Sequence, residues 1–106
     1  MKKDKTELPV IGRRFEVDFG DISYELHFIN ETQLHYKALG DVKEEATVEV
    51  ERIRLRRNLY LVSWQEGDKT TVTHVQDFKN MAIYSNITTA GNELIRLRGT
   101  VKELNS

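Results

Sequence analysis

Three consecutive stretches of this 106-residue sequence place side chains that could do chemistry two positions apart: Trp64 and Glu66, His74 and Gln76, Tyr84 and Asn86. A spacing of two puts each pair on one face of a β-strand, and strands consecutive in sequence are commonly neighbours in a sheet. If Tyr60, Val62 and Trp64 point inward, Glu66 follows them. On the next strand Val72 and Phe78 share a face with His74 and Gln76, and on the next Ala82 and Tyr84 share one with Asn86 and Thr88. The set that results is Trp64, Glu66, His74, Tyr84 and Asn86. A carboxylate beside an imidazole away from water is costly unless each finds a partner, so such a set is a satisfied network or a ligand site. The same residues on the outer face, or at a rim, would be ordinary solvated positions, because a polar run on one strand has no fixed direction.

Two chemistries suit the inward set. In a non-catalytic pocket, Glu66, His74, Tyr84 and Asn86 supply directional hydrogen bonds, and Tyr24, Leu26, Phe28, Tyr36 and Trp64 supply apolar walls for a small-molecule ligand. In an enzyme, Glu66 acts as general acid or base with His74 or Tyr84 as its partner, in a lyase or isomerase reaction on a small aromatic or carboxylate substrate. The first is the favoured expectation. The second requires Glu66 and His74 to lie within hydrogen-bond reach, directly or through one water.

Other constellations are weaker. His27 and His35 alternate with apolar residues on adjacent strands and should pair across the solvent face, with Glu25 the one convenient third ligand, so no metal site is expected. Arg52, Arg54, Arg56, Arg57, Arg96 and Arg98 could line a basic strip, but aromatic interleaving is missing and Glu49 and Glu51 stand beside it; a solvated charged face is expected rather than nucleic-acid binding. There is no Gly-rich phosphate loop, no Gly-x-Ser-x-Gly and no helical metal motif, so no cofactor is expected. Ser63 and Ser85 carry no sign of nucleophile activation. Cysteine is absent, which removes thiol catalysis, disulfides and cysteine-ligated metals together.

The elements that must position these residues are strands. Phe15, Val17 and Phe19 alternate with polar neighbours, as do Ile22, Tyr24, Leu26 and Phe28, and then Leu34, Tyr36 and Ala38. Gly20-Asp21 and Asn30-Glu31 read as hairpin turns. A fourth strand carries Ala46, Val48 and Val50; the apolar phase then flips to Ile53 and Leu55, which predicts a β-bulge near Glu51-Arg52. Four further strands are predicted at about 59–66, 70–78, 81–89 and 93–103, separated by Gly67-Asp68, Lys79-Asn80 and Gly91-Asn92. The reading is all-β: an up-and-down antiparallel sheet of about eight strands, closed into a barrel because closure removes two long edges. An open sandwich is the alternative.

Length allows one domain, with residues 1–8 a flexible charged tail and 9–106 the barrel. A formal net charge of -1 gives no overall pull toward nucleic acid or an anionic membrane. No apolar run approaches the length needed to span a bilayer, and Met1-Lys2-Lys3-Asp4-Lys5 leads into no signal-like apolar segment, so a cytoplasmic protein is expected. Met81, Ile83 and Ile87, with Leu59 and Leu61, stand on the parity opposite the inward set. Strands apolar on both faces need cover on both faces, which predicts a homodimer, and makes a filled, homodimeric interaction module the third functional reading.

Ser63-Trp64-Gln65-Glu66, then Thr71-Val72-Thr73-His74-Val75-Gln76-Asp77-Phe78, Tyr84-Ser85-Asn86-Ile87-Thr88 and Gly99-Thr100-Val101 together resemble the MoaF-like family, named after molybdenum cofactor biosynthesis protein F. The likeness is close over the second half of the chain and one of strand rhythm over the first. It implies a calycin-type barrel related to lipocalins. More distantly, Tyr60 to Glu66 is similar to a strand of the phenolic acid decarboxylases, which places Glu66 at a proton-transfer position inside such a barrel. Those enzymes also hold substrate with an arginine before that strand and two tyrosines on the first strand. Here Lys43 and Arg13-Arg14-Phe15 stand instead, which argues against decarboxylation.

Overall fold

The computed structural model describes residues 8–104, so most of the expected tail, residues 1–7, lies outside the described residues. Nine strands account for the fold: β1 Arg14–Asp18, β2 Ser23–Asn30, β3 Gln33–Ala38, β4 Glu45–Glu49, β5 Glu51–Arg56, β6 Leu59–Gln65, β7 Thr71–Asp77, β8 Ala82–Thr88 and β9 Leu94–Leu104. They form one antiparallel sheet in the order β4-β3-β2-β1-β9-β8-β7-β6-β5. Its two outermost strands follow each other in the chain with only Val50 between them, and β4 packs against β6, so the sheet curls into a nearly closed barrel. The expected eight strands become nine because the fourth is divided at Val50.

The irregularity predicted near Glu51-Arg52 comes later, as a register shift between Arg54 and Arg56. Arg52 and Arg54 pair with Val62 and Tyr60, both buried, so the even-numbered residues keep the inner face from Ala46 through Arg52, while Arg54 reaches solvent. Ile53 and Leu55 are left outside, 42% and 51% exposed. Space explains this. The inside at this level already holds Tyr60 and Phe78, and the Arg52 guanidinium lies flat on Tyr60, 3.8 Å from the ring centroid. A long stem with a planar cation covers an aromatic ring without needing the volume of another core side chain.

The barrel has two unlike ends. Where β1 and β3 begin and β2, β7 and β9 finish, Val10, Phe15, Phe28, Phe78 and Tyr60 fill the interior; Phe15 meets Phe28 edge-on at 5.8 Å and Phe78 at 5.2 Å. The segment before β1 closes this end: Val10 is buried, and the Leu8 amide donates to Asn58 Oδ1 at 2.6 Å, so residue 8 belongs to the barrel rather than to the tail. The other end, ringed by the turns β1–β2, β3–β4, β6–β7 and β8–β9, is open. At that rim Gly99 lies against the Asp18 carbonyl, a contact that leaves no room for a Cβ and lets β1 turn in across β9.

Candidate functional site

The open end leads into a cavity of about 250 Å³ bounded by strands from both halves of the barrel. Its lower wall is apolar, from Val17, Leu26, Val72, Ile87 and Leu97, and its upper wall is aromatic, from Phe19, Tyr24, Tyr36 and Trp64. Tyr36 on β3 and Trp64 on β6 lie nearly parallel at 6.2 Å across the mouth, and Tyr24 on β2 meets Tyr36 edge-on at 6.0 Å. Glu44, Glu66, Asp68 and Thr70 rim the opening, and His74 and Ser85, cross-strand partners on β7 and β8, lie deeper.

Hydrogen bonds hold this wall in place. Glu66 Oε2 accepts from both Tyr36 OH and Trp64 Nε1, each at 3.1 Å, which ties two strands of opposite halves through one carboxylate. Tyr24 OH donates to Glu44 Oε1 at 3.0 Å. Burial first, and then the adjacent negative charge of Glu44 and Glu66, pushes both tyrosine hydroxyls well above the ordinary phenol range, so both are donors at any physiological pH. Asp68 accepts from the Thr70 amide at 2.9 Å, and that bond holds its carboxyl below the usual range.

His74 is only 5% exposed, and burial pushes its imidazole down to about 4, so the ring is neutral near pH 7. Gln76 engages Nδ1 at 3.1 Å, the direction of that bond following the ring tautomer, and no hydrogen bond to Nε2 occurs among the described residues. Trp64 stands edge-to-face with the imidazole at 4.9 Å, between it and Glu66's anchoring bonds.

Of the residues read from sequence, the structure brings Tyr24, Tyr36, Trp64, Glu66 and His74 to the cavity. Tyr84 and Asn86 are not there. They lie on the outer face, Tyr84 46% exposed, because β8 has the opposite parity to the expected one: Ile83 is fully buried opposite Gln76, Ser85 opposite His74, and Ile87 lines the cavity. Burying two isoleucines and a serine costs less than burying an asparagine and a threonine without partners. The same parity removes Ile83 and Ile87 from the expected outer interface. Glu44, Asp68, Thr70, Ser85 and Leu97 were not foreseen as site residues, and the first three sit in turns where no period exists to read. Leu26 lines the cavity as expected, whereas Phe28 lies deeper, in the packed end. His27 and His35 face each other in register, but His35 Nε2 pairs with Glu45 at 2.9 Å, and no metal-binding cluster occurs among the described residues.

A nearly closed antiparallel barrel, packed at one end and open to a small half-polar cavity at the other, is the class that fold and site define. Within that class the chain belongs to the MoaF-like family, whose model matches residues 11–102. The barrel is similar to the crystal structure of a "putative beta-lactamase" from Burkholderia vietnamiensis, with a TM-score of 0.84, 22% identity, and coverage of 94% of this chain and 100% of that one. At that identity the likeness concerns the fold. No curated protein matches the chain. No helix of the described residues is long and apolar enough to cross a membrane.

Proposed function

We propose that the protein is a non-catalytic, cytoplasmic barrel of calycin type that binds a small molecule in its open end. The observation that carries this reading is the cavity of about 250 Å³, which joins an apolar floor to polar groups with unused hydrogen-bonding capacity. A void of about 150 Å³ suffices for benzene, so this one suits a ligand built on a single ring. Thermal-shift screening and native mass spectrometry are the test. A bound compound should stabilise the wild type, and Glu66→Gln, which replaces the carboxylate shared by Tyr36 and Trp64, should weaken the effect about tenfold. A library that never shifts the melting temperature would overturn the reading.

The lyase or isomerase reading has less support. Glu66 and His74 both line the cavity, but the carboxylate is engaged by Tyr36 and Trp64, and the imidazole by Gln76. A homodimer has a specific observation in its favour. Ile53, Leu61, Val75 and Tyr84 are in register across β5, β6, β7 and β8 and make one apolar row on the outer face. A second copy is its natural cover. Light scattering after size exclusion should give twice the chain mass, and Leu61→Asp should return it to the monomer.

A further inference from the structure

The charge pattern of the cavity says what kind of ligand it would hold. Three carboxylates, Glu44, Glu66 and Asp68, stand at the mouth, and no lysine or arginine of the described residues lines the space. None of the three makes an ion pair among the described residues, although four other acidic residues do. The two tyrosine hydroxyls and the indole N–H that reach Glu44 and Glu66 are neutral donors, so they orient the carboxylates and leave their charge uncompensated. Between these acids lie the rings of Tyr24, Tyr36, Trp64 and Phe19. Aromatic faces attract cations through the ring quadrupole, and the attraction grows as the site is shielded from water. Anionic ligands meet only repulsion at such a mouth.

A second observation comes from the floor. His74 is only 5% exposed, Gln76 engages its Nδ1, and no hydrogen bond to its Nε2 occurs among the described residues. It lines the same cavity as the carboxylates, on the strand after Glu66. An imidazole nitrogen without a partner in a cavity wall calls for a hydrogen-bonding group there.

Resting on the ligand-binding reading above, the geometry points to an organic cation as the ligand: a protonated or quaternary amine on a single-ring body. The ammonium sits among Glu66, Glu44 and the faces of Tyr36 and Trp64, the ring lies against Val17, Val72 and Leu97, and Nε2 of His74 meets a hydrogen-bonding group at the far end. The cavity volume limits the body to about one ring with a short arm.

The chain contains one tryptophan, Trp64, so its fluorescence reports directly on the mouth of the cavity. Full-length protein is titrated with three probes of like size, benzylammonium, benzyl alcohol and benzoate, followed by that emission and by calorimetry. The expected result is an affinity for benzylammonium at least about tenfold above that for benzyl alcohol, and no binding of benzoate. Glu66→Gln should bring the affinities for benzylammonium and benzyl alcohol close together. Glu44→Gln, at the exposed rim, should narrow the same preference for benzylammonium, and it supplies the test should Glu66→Gln fail to fold. If benzyl alcohol or benzoate binds as well as benzylammonium, the cation assignment is overturned while the binding reading stands. If none of the three binds at millimolar concentration, both are overturned.

Discussion

Burial of His74 makes the stability of the fold depend on pH. Its folded imidazole is pushed down to about 4 from an ordinary value of 6.5, by loss of solvent alone. Above pH 6.5 both folded and unfolded chains leave the ring neutral, and the fold has its full stability. Between pH 6.5 and 4 the unfolded chain takes up a proton that the folded chain refuses, so stability falls with falling pH. The drop from pH 7 to pH 5 should be about 2 kcal/mol, read as a shift of the urea midpoint. His74→Phe lacks the titrating group and should lose this part of the slope, whatever its stability at pH 7; an unchanged slope would mean that the ring is not held neutral. At this scale the sequence was partly readable. Glu66 and His74 were visible because each follows a clean alternation of buried residues, Tyr60-Val62-Trp64 and Val72. Tyr84 and Asn86 misled because β8 alternates two acceptable sets, Ile-Ser-Ile and Tyr-Asn-Thr, and their difference is set by partners on β7 and β9 that no local period reveals.

The elements themselves were legible wherever one face is plainly apolar, as in β1, β2, β3 and β6. The seam between β4 and β5 was not. A pattern that flips from Val48 and Val50 to Ile53 and Leu55 normally announces an inserted residue; here the register shifts only between Arg54 and Arg56, and Arg52 turns inward onto Tyr60. Periodicity counts hydrophobicity and has no term for a cation that packs on an aromatic ring. Closure at the opposite seam depends on Gly99. A Cβ there would overlap the Asp18 carbonyl and stand 3.0 Å from Phe19 Cδ1, and main chain cannot yield as the tip of a side chain can. Gly99→Ala should therefore cost about 3 kcal/mol, with Gly67→Ala, whose added methyl meets nothing within 4 Å, as the neutral control. Equal urea midpoints for the two variants would show that β1 does not depend on that approach.

At the scale of the whole molecule, stability and binding reside at opposite ends of one barrel. The packed end holds Phe15, Phe28, Phe78 and Val10, all buried, and the cavity end is lined by both apolar and polar side chains. This division follows from composition: the aromatic residues supply enough volume to fill about half of an eight-to-nine-stranded interior, and an interior of that width must otherwise admit a small ligand. The two ends should then respond independently to substitution. Phe15→Ala opens a void among close-packed rings and should cost about 3 to 5 kcal/mol, yet leave the ligand-induced rise in melting temperature intact in the molecules that fold. Leu97→Phe adds volume where the cavity is empty, so its stability should stay within about 1 kcal/mol of wild type, while the ligand-induced rise disappears. Denaturant titration with and without a stabilising ligand measures both quantities on the same samples. A Leu97→Phe protein that still responds to ligand would place the binding site outside the barrel, on the row formed by Ile53, Leu61, Val75 and Tyr84.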